Sequence, residues 1–422
     1  MKKKLIISML IALMLSLSCE DSSTDPPVEQ PDTTKVDTTE VDPDMVPQKN
    51  IEWSSLADTP WPIYHHDPQS TGRSEFLGPQ SGTIQQMKFD IDMTMSGVVI
   101  GKNNTCFLPS GEHSTGFVSF DYNGTVNWIN ELTSITTPIL ASDNQIYLTT
   151  LHQTFLSYSY EGDTNWTKGT NTTSGLGITI DKKGNIYFLD RDKNTDGIAS
   201  LRVIDKDGNS LWSLKDSRIL SPQHSAPSFS PDGNTIYLQG LNPSILAVDI
   251  NAEEIIWTFG DDVLLSSPVV DNNGHIYLIP GETYSQENRK MFSLDKDGNV
   301  NWDFEFTSND LWDNTEPTID YNGNIYFGGD SLYSLTNSGK LRWTKNVTGN
   351  ISTSLLCDIE NNIYFGTTSS ESFYSFKENG ELNWVIEDLE FRTVGAGPAI
   401  TDDQSILLPS WRNALFSITK IK

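Results

Sequence analysis

A few clusters in this chain carry residue types that could do chemistry. His65, His66 and Asp67 are adjacent, and imidazole beside carboxylate can bind a metal or move a proton. Neighbouring side chains of an extended segment point to opposite faces, and no third ligand at zinc-like spacing is near, so the three read as structural. Asp205-Lys206-Asp207-Gly208 and Asp295-Lys296-Asp297-Gly298 begin like calcium loops. Such loops need further oxygen ligands at fixed positions, and Leu211 and Val300 fall where these should continue, so tight hairpin turns are expected. No Gly-x-Ser-x-Gly elbow and no phosphate loop occurs. No catalytic, cofactor-binding or metal-ligating residue is therefore assigned.

Whatever these residues do, a repeat must position them. Trp128, Trp166, Trp212, Trp257, Trp302, Trp343 and Trp384 lie 38 to 46 residues apart, and all but Trp257 follow a turn glycine by four residues. A fixed period ending on an aromatic anchor marks a repeat architecture. Upstream of the tryptophans come β-branched and aromatic markers: Gln145–Leu148, Asn185–Phe188, Thr235–Leu238, His275–Leu278, Asn324–Phe327 and Asn362–Phe365. They read as strands, most of them preceded by an Asp/Asn/Gly turn such as Asp181–Gly184. A short apolar strand comes before that turn, often opened by proline, a third strand follows the marker, and the tryptophan ends the fourth.

Four antiparallel strands per unit make one propeller blade. Degenerate markers at Thr105–Leu108 and Ser405–Leu408 bring the count to eight. The last unit stops after its third strand, expected at Ala414–Ile418, and Ile84–Phe89 is the expected source of its missing outer strand. Pairing chain start with chain end would close the ring and remove open edges. The expected fold is thus an all-β, eight-bladed β-propeller of four-stranded antiparallel blades, with the seven tryptophans docking blade to blade. Cys106 falls in the second-strand region of blade 1 and Cys357 near the second strand of blade 7, so both are expected as small buried hydrophobes without a disulfide.

The Asp295–Trp302 and Asn337–Trp343 segments resemble the quinoprotein-type (PQQ-like) repeat, and Trp61–Ser74 resembles the lead-in before such rings in bacterial proteins. The resemblance covers residues 60–422. It implies a propeller and is weak for function, since the family includes quinone-dependent alcohol dehydrogenases and the propeller lipoprotein of the outer-membrane β-barrel assembly machine. The dehydrogenases use an adjacent Cys-Cys pair and a calcium site; this chain has no Cys-Cys, so no cofactor is expected.

Lys2–Lys4 followed by an apolar run to Leu17 read as a secretion signal over residues 1–18. Cys19 follows Leu15-Ser-Leu-Ser18, which resembles a bacterial lipobox and implies lipidation of Cys19, although Ser16 stands where leucine is commoner. Residues 19–50 read as a disordered acidic Pro/Thr-rich tether, 51–81 as a lead-in packed on the ring, and 82–422 as the ring. The expected location is the outer membrane, facing periplasm or cell surface. A formal net charge of −28 excludes nucleic acid as a partner.

In a propeller the connections after the second and fourth strands share one face. Here that face would carry Arg218, His224, Tyr284, Asp310, Trp312, Asp313, Glu316 and Arg392. Trp312 lies outside the repeat register, and an exposed aromatic among carboxylates and arginine suits sugar stacking or a protein hot spot. The reading is a monomeric, non-catalytic binding or scaffolding ring, anchored to the membrane by lipid, for a protein or glycan. The alternative is an enzyme of sugar or alcohol metabolism with an unrecognised site in the central funnel.

Overall fold

The computed structural model describes residues 45–422, apart from 90–95, 111–115, 133, 135, 151–153, 171–176, 192–198, 221–225, 265, 282–288, 308–314, 388, 390–396 and 410–415. The described residues make up one compact unit. The ring consists of eight antiparallel sheets. Blade 1 shows the plan: Val99–Ile100 is innermost, then Thr105–Pro109, Phe117–Asp121 and Val126–Asn130 outward. Blades 2 to 7 repeat it, and blade 7 has an extra two-residue strand, Asn350–Ile351.

Blade 8 is assembled from both chain ends. Ile84–Phe89 pairs antiparallel with Phe416–Ile421, from Ile84 opposite Ile421 to Phe89 opposite Phe416. The third strand is described over Phe416–Ile421, and Ala414 and Leu415, expected in it from sequence, lie outside the described residues. The join is held further by Thr83 and Lys422, which exchange backbone hydrogen bonds of 2.8 and 2.9 Å.

The tryptophans do not end the outer strands; they sit inside them, one residue past a β-bulge, as at Trp302 in Val300–Phe306. A three-residue turn with glycine in the left-handed region produces that bulge. Each indole lies about 6 Å from the marker aromatic of its own blade, Phe107 for Trp128 (6.0 Å) and a tyrosine in the others, as Trp302 does from Tyr277 (5.9 Å) and Trp343 from Tyr326 (5.8 Å). It then reaches into the next blade. Trp128, Trp166, Trp257, Trp302 and Trp343 donate Nε1–H to carbonyls of the neighbour's 3–4 turn at 2.8–3.0 Å. The turn glycine receives the ring of the preceding blade: a Cβ on Gly339 would fall 2.5 Å from Trp302 Cδ2. So the glycine and tryptophan of one unit serve different interfaces. Trp384 donates instead to Pro79 Oin the lead-in, and Met87 of the closing strand fills the tryptophan's role against Gly124 of blade 1. Blade 4 is the exception in structure as in sequence: its turn has Glu253 at φ 59° in place of glycine, and Trp212 makes no such hydrogen bond among the described residues.

The tyrosines explain a second spacing. In blades 3, 5, 6 and 7 an aspartate six residues before the marker tyrosine accepts its hydroxyl: Tyr187–Asp181, Tyr277–Asp271, Tyr326–Asp320 and Tyr364–Asp358, at 2.7–3.1 Å. The same carboxylate caps its turn, accepting backbone N–H groups two and four residues on, as Asp320 does from Asn322 and Asn324. Asn185, Asn324 and Asn362 add a side-chain donor to it, and His275 stands at that position in blade 5. Burial raises the Asp320 carboxyl, and its neutral donors do not offset this. Burial also works on Asp271, but His275 outweighs it and holds that carboxyl below its usual range.

Two predictions follow from these contacts. Gly339→Ala should destabilise the ring by roughly 1–3 kcal/mol more than Gly184→Ala, measured by denaturant melts. Both positions have φ above +80°, but only a Cβ at 339 overlaps an indole, the nearest atom to one at 184 being 4.0 Å away. The hydrogen bond to Asp271 raises the His275 pKa above its ordinary 6.5. A raised histidine contributes stability that is complete below 6.5 and fades as pH climbs through the folded value. The melting temperature of the parent relative to His275→Asn should therefore be highest near pH 6 and decline toward pH 9. A flat difference would show that His275 acts as a neutral partner throughout.

Candidate functional site

Strand direction divides the ring into two faces. The 1–2 and 3–4 turns lie on one, and the connections after the second and fourth strands on the other, as expected from sequence. The lead-in occupies the axis between them. Its carbonyls accept the backbone N–H of the second residue of the innermost strand in six blades: Trp61 from Ile100, Pro62 from Leu140, Pro68 from Phe229, Gln69 from Val270, Thr71 from Ile319 and Gly72 from Cys357. Blade 3 is reached by Trp53, whose indole N–H donates to Ile180 O at 2.8 Å. The packed segment begins earlier than residue 51, since Val46 and Gln48 bond to the turn of blade 6.

His65, His66 and Asp67 lie in this plug, and they are not extended. His65 and His66 both have positive φ, 52° and 76°, and form a tight turn closed by His66 N to Ile63 O. His65, 2 % exposed, shares a 2.9 Å hydrogen bond with Leu355 O. Asp67 accepts the backbone N–H groups of Gln69 and Thr71, and the Thr71 hydroxyl. Burial works to raise its carboxyl, but His66, Thr71 and Arg73 together lower it. The Asp205 and Asp295 carboxylates are likewise engaged by their own turns, each accepting two backbone N–H groups and the side chain of Asn209 or Asn299. No three metal-ligating side chains converge among the described residues.

Of the eight residues placed on the loop face from sequence, His224, Tyr284, Asp310, Trp312, Asp313 and Arg392 lie outside the described residues. Glu316 is not available at the surface: it is 0 % exposed. It precedes the innermost strand of blade 6 (Thr318–Ile319) and turns to the axis, where Tyr64 and Ser354 donate to Oε2 at 2.8 Å and Ser267 to Oε1 at 3.3 Å. The plug thus reaches the loop-face end of the inner strands, through a tyrosine that sequence spacing gave no reason to single out. Arg218 is on the surface. It clasps Asp216 with Nε and Nη2 at 2.8 and 2.7 Å, which lowers the Asp216 carboxyl. Its carbonyl accepts from Leu241, which at 57 % is the most exposed of the large hydrophobic residues described. Leu241 follows the second strand of blade 4 (Thr235–Gln239) and carries no motif that would mark it.

Cys106 and Cys357 are free and buried, in blades 1 and 7. Cys357 is on the innermost strand of its blade, Leu356–Cys357, one strand further in than expected. Burial pushes both thiols up. A quinone placed on the axis would have to share it with Tyr64, His65 and Arg73, all buried there. The residues present do not fit one.

No family model matches the sequence, and no curated protein matches it. Solved structures match well in fold. A quinohemoprotein alcohol dehydrogenase from Comamonas testosteroni aligns with TM-score 0.67 at 10% identity, over 87% of this chain and 81% of that one. A europium-containing methanol dehydrogenase aligns with TM-score 0.62 at 11% identity, over 83% and 89%. BamB from Moraxella catarrhalis aligns with TM-score 0.57 at 13% identity, over 81% and 98%. This chain is an eight-bladed β-propeller, similar in fold to these structures. Identities this low show a common fold, and the fold holds both dehydrogenases and BamB. What separates this propeller from a ring with an open axis is the plug.

The Glu316 cluster gives a prediction. Glu316→Ala would strip Tyr64, Ser354 and Ser267 of their shared acceptor, leaving buried donors unpaired at about 1–3 kcal/mol each before relaxation. A loss of at least about 2 kcal/mol in a denaturant melt is expected. A loss within about 0.5 kcal/mol would place Glu316 among the surface residues after all.

Proposed function

We propose that this protein is a membrane-anchored, non-catalytic propeller that binds or scaffolds a partner through its loop face. The observation that carries this reading is the axis. The space where a propeller can hold a small substrate is taken by the chain's own lead-in, hydrogen-bonded to seven of the eight blades. That favours a binding ring over an enzyme working in a central funnel. A protein partner suits the described part of the loop face, where an exposed leucine stands beside an arginine whose planar head is already held in place by Asp216. The likeness to BamB is in keeping with this, as a likeness of fold.

The anchor is Cys19, acylated after cleavage of the signal, with the stretch from Cys19 to the ring-bound Val46 as tether. No described helix is long and apolar enough to cross a membrane, so attachment rests on the lipid in this reading. Replacing Cys19 with Ala should move the protein from the detergent phase to the aqueous phase on phase partitioning; an unchanged membrane fraction would refute the anchor. A photo-crosslinking residue at Leu241 in the membrane-bound protein should give one defined adduct, and the same residue at Asn299 on the turn face should not. Equal labelling from both faces, or none at Leu241, would count against the loop face as the docking surface.

A further inference from the structure

The turn face carries a crevice of about 700 Å³ between blades 1 and 2, separate from the axis and from the loop face. Its walls are the 1–2 turns of both blades, the 3–4 turn of blade 2 and the outer strands Val126–Asn130 and Thr164–Gly169. The lining is rich in side-chain amides: Asn103, Asn127, Asn144, Gln145 and Asn165. Trp128 and Tyr160 supply aromatic edges, Asp143 and Glu161 the acids, and Lys102 the cation. Lys102 is already directed to Asn144 Oδ1 at 3.2 Å.

Several of these groups still have hydrogen-bonding capacity to offer. Asn127 and Asn165 each donate Nδ2–H to a serine of the neighbouring strand, Ser119 and Ser157, both at 3.1 Å. That fixes the amides and leaves each Oδ1 with no protein donor among the described residues. Asn103 is exposed at the tip of a turn in which it and Asn104 both take positive φ, 56° and 61°, and its amide bonds to no described group. The Tyr160 hydroxyl is tucked against Gly101 with no hydrogen-bond partner. A hydroxyl buried this fully is out of a ligand's reach, so Tyr160 offers the crevice only its ring.

The equivalent crevice between blades 6 and 7 sets off these features. There Glu378 takes up much of the capacity, accepting from Asn322, Asn324 and Arg342 at 3.0–3.1 Å, and only Asn383 repeats the asparagine–serine contact, at 3.5 Å. The blade 1–2 crevice has two carboxylates against one lysine, so it does not suit a phosphate or another anion. Its fixed amides offer donor and acceptor in one plane, which matches the paired hydroxyls of a sugar, and its volume falls in the range of small-ligand sites.

We propose that the crevice between blades 1 and 2 on the turn face is a binding site for a neutral oligosaccharide, read by Asn103, Asn127 and Asn165. It stands apart from the loop-face reading, because a protein docked on one face leaves the other free. The test is isothermal titration of the full-length protein in detergent with maltotetraose, cellotetraose, mannotetraose and N-acetylchitotetraose, and with tetralysine as the cationic control. Saturable binding of at least one sugar is expected. Asn103→Ala and Asn165→Ala should each weaken it at least tenfold without moving the melting temperature by more than about two degrees. Glu360→Gln, in the crevice between blades 6 and 7, should leave it unchanged. No heat with any of the four sugars would overturn the proposal. So would binding that survives both asparagine variants, or a site that takes tetralysine and no sugar.

Discussion

One backbone N–H recurs at the same place in blade after blade, on the second residue of the innermost strand, facing the axis with no strand beyond it. An unpaired donor of this kind costs about 1–3 kcal/mol, so six of them together rival the whole stability margin of an ordinary domain. An open channel would leave water to satisfy them. This chain uses the carbonyls of residues 61, 62, 68, 69, 71 and 72 instead. The consequence is a fixed register between lead-in and ring. Each carbonyl must meet its own blade, and the left-handed turn at His65 and His66 is the bend that lets one strand of chain serve blades on opposite sides of the axis.

Around the circumference the same economy of parts appears in the docking of each tryptophan on the next blade's glycine. Because donor and receiver belong to consecutive units, no blade is complete by itself, and the ring is stable only as a closed cycle. The closing blade shows how far the rule bends. Its outer strand, Ile84–Phe89, has no tryptophan, and Met87, flexible and apolar, fills the same space against Gly124. Blade 4 bends it the other way, with a glutamate forced into the left-handed position and an indole left without its carbonyl.

Period and turn chemistry made the fold legible before any coordinates, including the strand borrowed from residues 84–89, because both are local signals. What stayed hidden depends on partners distant in sequence. The tryptophans looked like strand ends because the bulge that precedes each one is invisible to a two-residue period. The aspartate–tyrosine pairs were readable in principle, as a six-residue spacing present in blades 3, 5, 6 and 7, with Ala141 and Pro231 at that position in blades 2 and 4. The candidate site was less legible. Glu316 was placed on the loop face by its position ahead of a strand, correctly as to level, but nothing in the sequence shows that Tyr64 comes to meet it from 252 residues away. Six of its companions lie outside the described residues, together with Trp411, which like Trp312 falls outside the register.

The similarity to dehydrogenases and to BamB at 10–13% identity means that the blade pattern alone is neutral between catalysis and binding. The discriminating feature has to lie where the blades do not dictate the sequence: at the axis, in the loops and in the crevices between blades. At the axis this chain has placed its own backbone and closed a carboxylate inside a cage of hydroxyls. A buried glutamate held by Tyr64, Ser354 and Ser267 is a poor starting point for chemistry, since each of those donors would have to be released before a substrate could take its place. In the proposed reading, function is displaced outward, to surfaces where side chains are held by the fold but not used up by it. Arg218, fixed by Asp216 beside an exposed leucine, and the asparagines of the blade 1–2 crevice, fixed by serines with their carbonyls still open, are both of that kind.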